Sequence, residues 1–368
     1  LYNMKSIPNL FYPAHDLALA HGVRHFTPPQ AARRLAEDLT ELSSLWQPDT
    51  PLPWGWNYNT RKALLEAGCA AAKLPTMGDL ELLRAWSGRA EVIGWQRRCN
   101  EHLAGLPGFE PLVLPRALRS AEELHAAVAE QTSPFLLKAP WSSSGRGLCW
   151  SRVTPHEVLL RRGEAIVRGM GCVLMEPEYR KVQDGAMLFY VDEERKVSFV
   201  GYSLFETDDM GTYREGRVMS LEAMEQELYR WVPLSLLHAV QALYCCEILP
   251  ERCAKLSHNR YPLGYVGVDM MIYQTEAGKY ALHPCVEMNV RCTMGVVARR
   301  AAQRLLAPEA RGKFVITHAP DAETLRRQLV ALQQKYPAVQ SAAGLLHGVL
   351  PLTEVKAESQ FAAYLCAE

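Results

Sequence analysis

Apolar positions recur at two different periods along the chain, and the change from one to the other divides it. Before residue 107 the spacing is helical: Leu35, Leu39, Leu42 and Trp46 recur at helical intervals in "TPPQAARRLAEDLTELSSLW", and more helix is expected from about residue 60 to 104. Thr27, with Pro28 at the first helical position and Gln30 closing a capping box, reads as the start of the first of these helices. A short strand, "IPNLFY", precedes it, and the Pro/Trp-rich "PDTPLPWGWN" interrupts the helical pattern. "GLPGFEPLVLP" reads as a linker, and places a boundary at residue 106.

Beyond the linker the period falls toward two. "SPFLLKAP", "CVLMEPEY", "AMLFYVD", "KVSFVGYSLF", "YVGVDMMIY" and "KYALHPCVEMNV" read as strands, the last two paired around the turn "QTEAG". Ser120 with Glu123 forms a capping box for a helix carrying Leu124 and Val128, and Thr154, Pro155 and Glu157 start another. A helical stretch is expected from roughly 220 to 256, and "MGVVARRAAQRLL" and "DAETLRRQLVALQQ" close the chain as helices. The class is α/β and α+β, with largely antiparallel sheets in the second half.

Composition narrows the function. At 368 residues the chain suggests two or three domains. Its 40 Lys+Arg balance 40 Asp+Glu, so no basic field invites nucleic acid or an anionic membrane. No apolar run is long enough to span a bilayer and the opening residues lack a signal-peptide core, so a cytoplasmic location is expected. The ten Cys include no CxxC pair and fit reduced thiols, which lowers the expectation of structural zinc.

The chemistry concentrates in "HPCVEMNVRC", residues 283 to 292. As a strand it puts His283, Cys285, Glu287, Asn289 and Arg291 on one face and Pro284, Val286, Met288 and Val290 on the other. Pro284 cannot donate to a central ladder, which makes His283 the least secure member. Glu287 and Asn289 offer hard oxygens two residues apart, and that suits magnesium better than zinc. Asp269, a charge in an otherwise apolar run, would add a carboxylate from the partner strand. The competing reading is that Asp269 and Glu287 are half-exposed strand residues paired with Arg or Lys. The thiols of Cys285 and Cys292 read as small buried hydrophobes.

"LLKAPWSSSGRGL" joins a strand ending in Lys138 to a Ser/Gly loop whose amides and hydroxyls could wrap phosphate oxygens, with Lys138 as the point charge; a surface hairpin turn is the alternative. Together "KAPWSSSGRG", "VGVDMMIY" and "VEMNVR" resemble, in that order, the flexible loop, acid strand and EMNxR signature of biotin-carboxylase-like and carboxylate-amine-ligase-like members of the ATP-grasp superfamily. The match covers roughly residues 90 to 300. It implies an N-terminal α/β pre-ATP-grasp domain at 1–106, an ATP-grasp domain at 107–310 with two α+β subdomains (about 107–174 and 175–310) gripping ATP, and a helical or mixed C-terminal extension at 311–368 packing on it.

Carried over by position, the resemblance implies that Lys138 contacts the α- and β-phosphates while Ser142, Ser143, Ser144, Gly145 and Gly147 form a lid. Glu176 would face the adenine amino group, with the Pro177 carbonyl and the Tyr179 amide as a backbone pair, and Asp184 would accept from the ribose. Asp269, Glu287 and Asn289 would ligate one or two Mg2+ ions, and Arg291 would stabilise charge on the phosphoryl group or the acceptor. A second phosphate-binding cation has two candidates, Arg89 and Arg97.

The activity so implied is ATP-dependent ligation: a carboxylate is activated as an acylphosphate and attacked by an amine or thiol, with release of ADP and phosphate. The substrate would be a small molecule or short peptide, without nucleic acid or membrane; the oligomeric state stays open, a homodimer among the options. Tyr213, Arg214 and Arg217 in "ETDDMGTYREGR", and His15 in "PAHDLALAHGVRH", are candidates for the acceptor pocket, against a solvated loop and surface histidines. "PWGW" reads equally as a packed turn. The rival readings are a kinase phosphorylating a hydroxyl, a non-catalytic ATP-binding regulatory module and, more distantly, a zinc-binding interaction protein.

Overall fold

Prolines decide where the first helices begin. In the computed structural model, which describes residues 11–47, 52–142, 147–207 and 213–368, the helix expected to be capped by Thr27 starts two residues later. Pro28 precedes Pro29 and is pushed out of the helical region by it, so the helix α2 (Gln30–Asp38) opens after Pro29 with no side-chain cap, and the Thr27 capping box does not form. Ahead of it lies α1 (His15–His21), and after it a 3-10 turn (Thr40–Leu42) and α3 (Ser43–Trp46) split the long apolar stripe while keeping Leu39, Leu42 and Trp46 buried. Then follow α4 (Tyr58–Glu66), α5 (Met77–Trp86) and α6 (Arg89–Leu103).

Of the expected strand "IPNLFY", residues 7–10 lie outside the described residues; Phe11 and Tyr12 are in no strand, and the described residues of 11–106 contain helices and turns but no sheet. Phe11 instead packs edge-on to Trp54 and against Trp46, with ring centroids 4.9 and 5.9 Å apart. That aromatic packing makes "PWGW" a buried turn, with Trp54 and Trp56 both in the core.

A small α+β unit comes next: β1 (Arg116–Leu118), α7 (Ala121–Ala129), β2 (Phe135–Lys138), β3 (Leu148–Trp150), α8 (His156–Met170) and β4 (Val173–Pro177). Ser120 caps α7 by accepting from the Glu123 amide. The strands form a four-stranded antiparallel sheet, ordered β1-β4-β2-β3, with its own core around Leu124, Leu137 and Val173.

The large unit contains β5 (Arg180–Val191), β6 (Val197–Thr207), β7 (Tyr213–Val218), α9 (Leu221–Tyr229), α10 (Leu234–Leu243), a π-helical turn, α11 (Leu249–Cys253), β8 (Gly264–Gln274), β9 (Tyr280–Asn289) and α12 (Met294–Leu305). It ends with β10 (Gly312–His318), α13 (Ala322–Lys335), β11 (Val339–Ser341), β12 (Gly344–Pro351) and β13 (Phe361–Ala367). The chain therefore does not close on helices. Four terminal strands extend the large sheet to nine, in the order β11-β12-β13-β10-β7-β6-β5-β8-β9. One core lies between this sheet and α5, α6 and α9 to α11; another, around α12, also takes in Phe11 and Trp46. No single helix among the described residues is long and apolar enough to cross a membrane.

Register is what positions the chemistry. Asp269 pairs directly with Glu287, and Gly267 with Asn289, so these side chains share a face of the sheet. A register shift follows between Asp269 and Met271, and there the expected alternation fails: Cys285 joins the core cluster of Met288 and Val290 instead of siding with Glu287. Pro284 is tolerated because β9 is the end strand of the sheet.

Candidate functional site

The acids come first, since their placement is costly without a purpose. Asp269 is half-buried by surface, and burial of its carboxyl together with the Glu287 carboxylate across the strand pair pushes that carboxyl well above the usual range. Asn289 donates from Nδ2 to Asp269 Oδ1 at 3.2 Å. Asp184 lies two residues along β5 from Ala186, the direct partner of Asp269, and so shares its face. Two carboxylates on paired residues and an amide, with no thiolate or imidazole among them, fit a hard divalent cation such as Mg2+. Among the described residues no group of three or more His, Cys, Asp or Glu side chains is placed to hold a metal alone. A cation between Asp269 and Glu287 would take its remaining oxygens from a phosphate. Asn289 turns its nitrogen, not its oxygen, toward Asp269, so ligation through Oδ1 requires its amide to turn over.

The small unit faces this group with Lys138 at the end of β2, buried and ion-paired with Glu176 of β4. In this arrangement Glu176 holds the lysine. Gly147 closes the hairpin after Lys138 with a φ of 74°, and a Cβ there would stand 2.9 Å from the Ala139 Cβ. Ser143, Ser144 and Gly145 lie outside the described residues. Ser142 Oγ accepts from Arg89 Nη1 at 2.7 Å.

Arg89, at the start of α6, is the side chain that joins the parts. It donates to the Ala139 carbonyl (2.7 Å) and Ser142 on the small unit, and to Glu287 Oε2 through Nη2 (2.8 Å) and Nε (3.2 Å) on the large one. Arg97 is exposed on the same helix. Of the two cations proposed for the phosphates, the geometry favours Arg89. The turn between α5 and α6 also grips the entry to the loop: the Arg89 amide donates to the Pro140 carbonyl, and Trp141 Nε1 to that of Arg84.

Between the two sheets runs the segment from Glu176 to Tyr179. Tyr179 stacks edge-on against Tyr273 and His283, at 4.8 and 5.2 Å. His283 is buried with Nδ1 unpartnered, and burial and then the Lys138 charge push it down to about 3. By register it stands opposite Met271, in the same row as Asp184, and so on the face of the sheet that carries the acids. Asp184 accepts from Lys181 Nζ (2.6 Å) and from Thr207 Oγ1 (2.6 Å), a polar cluster absent from the sequence reading.

Arg291 departs most from expectation. Its Nε and Nη2 donate to the two oxygens of Asp16, each at 2.7 Å, Nη2 also to Asn289 Oδ1 (2.9 Å), and Nη1 to the Cys292 carbonyl (3.0 Å). Four of its five N–H groups are committed, so it cannot offer a free fork to a phosphoryl group or a carboxylate. Burial would raise the Asp16 carboxyl, but the charge and hydrogen bonds of Arg291 outweigh it and hold that carboxyl low. His15 is not a surface residue. It is buried beside this pair, 3.0 Å from Asn57 Nδ2, and burial pushes it down to about 4.

Of the other acceptor candidates, Arg217 is not brought in. Phe205 pairs with both Asp184 and Gly216, so Arg217 points to the opposite face, 3.9 Å from Glu206 and Glu227. Arg214 is exposed, and the side chain of Tyr213 lies outside the described residues. Sequence reasoning singles out Asp16 in "PAHDLALAHGVRH" without its partner Arg291, and leaves Arg89 as one of two candidates. Their signals are present, a carboxylate in "PAHDLALA" and a cation opening a helix, but neither says what it meets.

No protein-family model and no curated protein sequence matches the chain. Among solved structures, it is similar to N5-carboxyaminoimidazole ribonucleotide synthetase from Thermus thermophilus at 13% identity and a TM-score of 0.47, covering 98% of this chain and 92% of that one. A biotin carboxylase complexed with β-γ-ATP from Campylobacter jejuni gives 14% identity and a TM-score of 0.49, over 85% and 70%. N5-carboxyaminoimidazole synthetase from Staphylococcus aureus, complexed with ADP, gives 10% and 0.46, over 87% and 81%.

Proposed function

We infer that the chain is an ATP-grasp enzyme, an ATP-dependent ligase that activates a carboxylate as an acylphosphate for attack by an amine or thiol and releases ADP and phosphate. The observation that carries this reading is Arg89, which spans the Lys138 loop and the Asp269–Glu287 pair and so sets a cationic loop opposite an acidic pair across one cleft. Lys138 and Arg89 would offset phosphate charge, exchanging Glu176 and Glu287 for phosphate oxygens. Asp269, Glu287 and Asn289 would hold one or two Mg2+ ions, which supply neutralisation of charge on the transferring phosphoryl group. The base would lie along Glu176 to Tyr179, using the Pro177 carbonyl and the Tyr179 amide, with Asp184 at the ribose.

The chemistry needs no nucleophilic side chain. A carboxylate oxygen of the small-molecule or short-peptide acceptor attacks the γ-phosphorus as the bond to the β-bridging oxygen breaks and ADP leaves. The amine then attacks the acyl carbon, phosphate departs and the nitrogen loses a proton. Ser142 and Gly147 flank the loop that would exclude water from the intermediate.

Incubating the protein with Mg-ATP and mixed carboxylates, amines, thiols and polyols tests this. ADP, phosphate and an amide or thioester are expected. A phosphorylated alcohol would replace the reading with a kinase, and nucleotide binding without turnover would replace it with a binding module.

A further inference from the structure

Two motifs at the front of the chain, "PAHDLALA" and "PWGWN", have no part in the nucleotide reading, yet both converge on Arg291. Asp16 takes its Nε and Nη2 in a bidentate pair. The Trp54 carbonyl accepts from the Cys292 amide at 2.6 Å, and Gly55 packs so closely that a Cβ would stand 2.8 Å from that of Arg291. Asn57 holds His15 beside them and caps α4 by accepting from the Thr60 amide. All this surrounds one buried guanidinium within the field of Asp269 and Glu287. Even so, its ion pair is with Asp16 and with neither of those acids.

We propose that Asp16 is a positioning residue of the cation site: it holds the Arg291 guanidinium off the Asp269–Glu287 pair and so leaves that pair open to a divalent cation. The proposal rests on the Mg-nucleotide reading of the site. A buried guanidinium that loses its carboxylate seeks the next one. Asp269 stands one side chain away, joined to Arg291 through the Asn289 amide. Without Asp16, Arg291 turns onto Asp269 and competes with the cation. Removing both charges abolishes the competitor along with its restraint.

The test is a Mg2+ titration of the binding of a fluorescent ADP analogue to the full chain, beside the same measurement in EDTA and a thermal melt. Wild type is expected to show Mg2+-dependent binding. Asp16→Asn is expected to need about tenfold more Mg2+, because the displaced charge must be outcompeted, while its binding in EDTA is unchanged. Asp16→Asn with Arg291→Gln is expected to return most of the way to the wild-type Mg2+ requirement. An unshifted requirement in Asp16→Asn overturns the proposal, as does a double variant no better than the single. If Asp16→Asn does not fold, Asp16→Glu replaces it: a smaller shift in the same direction supports the proposal and no shift overturns it. Wild-type binding equal with and without Mg2+ overturns the Mg-nucleotide reading itself, before any variant is compared.

Discussion

Arg89 and Glu287 meet 198 positions apart in the chain, with Arg89 Nη2 2.8 Å and Nε 3.2 Å from the same carboxylate oxygen. The pair ties α6 to β9 while the remaining nitrogen of Arg89 holds the small unit. One side chain thus links the helical region, the loop after β2 and the acids of the large sheet. Nucleotide phosphates entering between Lys138 and Asp269 would meet this network first.

Replacing Arg89 should therefore cost both stability and binding. Arg89→Ala leaves Glu287, only 21% exposed, without its partner and frees Ser142. The expected loss is about 2–4 kcal/mol of stability, as for a broken buried pair, with at least about tenfold in nucleotide affinity. Arg97→Ala, at an exposed position, should change neither. Thermal melts and a nucleotide titration check both, and wild-type affinity in Arg89→Ala would remove Arg89 from the site.

Asp269 gives a prediction of opposite sign. Its carboxyl is raised in the folded protein, by burial and then by Glu287, so without metal it favours the folded state only at low pH. That contribution is lost as pH rises from the ordinary carboxylate range through neutrality. Asp269→Asn should then stabilise the metal-free protein at pH 8, by about 1–2 kcal/mol or a few degrees in Tm, while abolishing Mg2+-dependent nucleotide binding. Melts in EDTA at pH 5 and pH 8 separate the two effects; an equal Tm for variant and wild type at pH 8 would contradict the burial argument.

Two buried histidines set the acid limit. Burial lowers His15 to about 4; burial and then Lys138 lower His283 to about 3, so the unfolded chain binds protons more readily than the folded one below the ordinary histidine value. Stability is full above about pH 6.5 and falls as pH drops toward 4, by about 2 kcal/mol for each histidine at pH 5. His283→Leu, which also removes an unpartnered buried nitrogen, should flatten this slope without lowering stability at pH 7. Urea melts from pH 7 to 4.5 measure it, and an unchanged slope would count against His283 as a source.

What could be read from the sequence was local. Asp269, Glu287 and Asn289 sit in two strands joined by a short turn, so strand period and pairing sufficed to bring them together. The side of Cys285 could not be read, because the register shift opposite Met271 leaves no mark in the residues themselves. Neither could the closing strands: Ala- and Leu-rich runs such as "FAAYLCA" have weak strand preference and no clean period. The partners of Asp16 and Arg89 were hidden for another reason. These two side chains reach β9 and the residues after it from 275 and 198 positions away, and only the packed helices decide that meeting.

Gly55 offers a test of that packing in a single methyl group. A Cβ at Gly55 would stand 2.6 Å from His15 Cε1 and 2.8 Å from the Arg291 Cβ, closer than such atoms ever approach, and neither neighbour is the loose end of a flexible chain. Gly55→Ala must push the "PWGWN" turn away from Arg291, straining its contact with Asp16. Overpacking of this kind costs about 1–3 kcal/mol, so a Tm lower by several degrees is expected. If the turn matters to the site, the Mg2+ requirement for nucleotide binding rises as well. Gly94→Ala is the control: it lies inside α6 with open space around it, and should stabilise by about 0.5–1 kcal/mol through helix propensity. A Gly55→Ala protein as stable as wild type, with the same Mg2+ requirement, would show that the turn does not hold Arg291 in place.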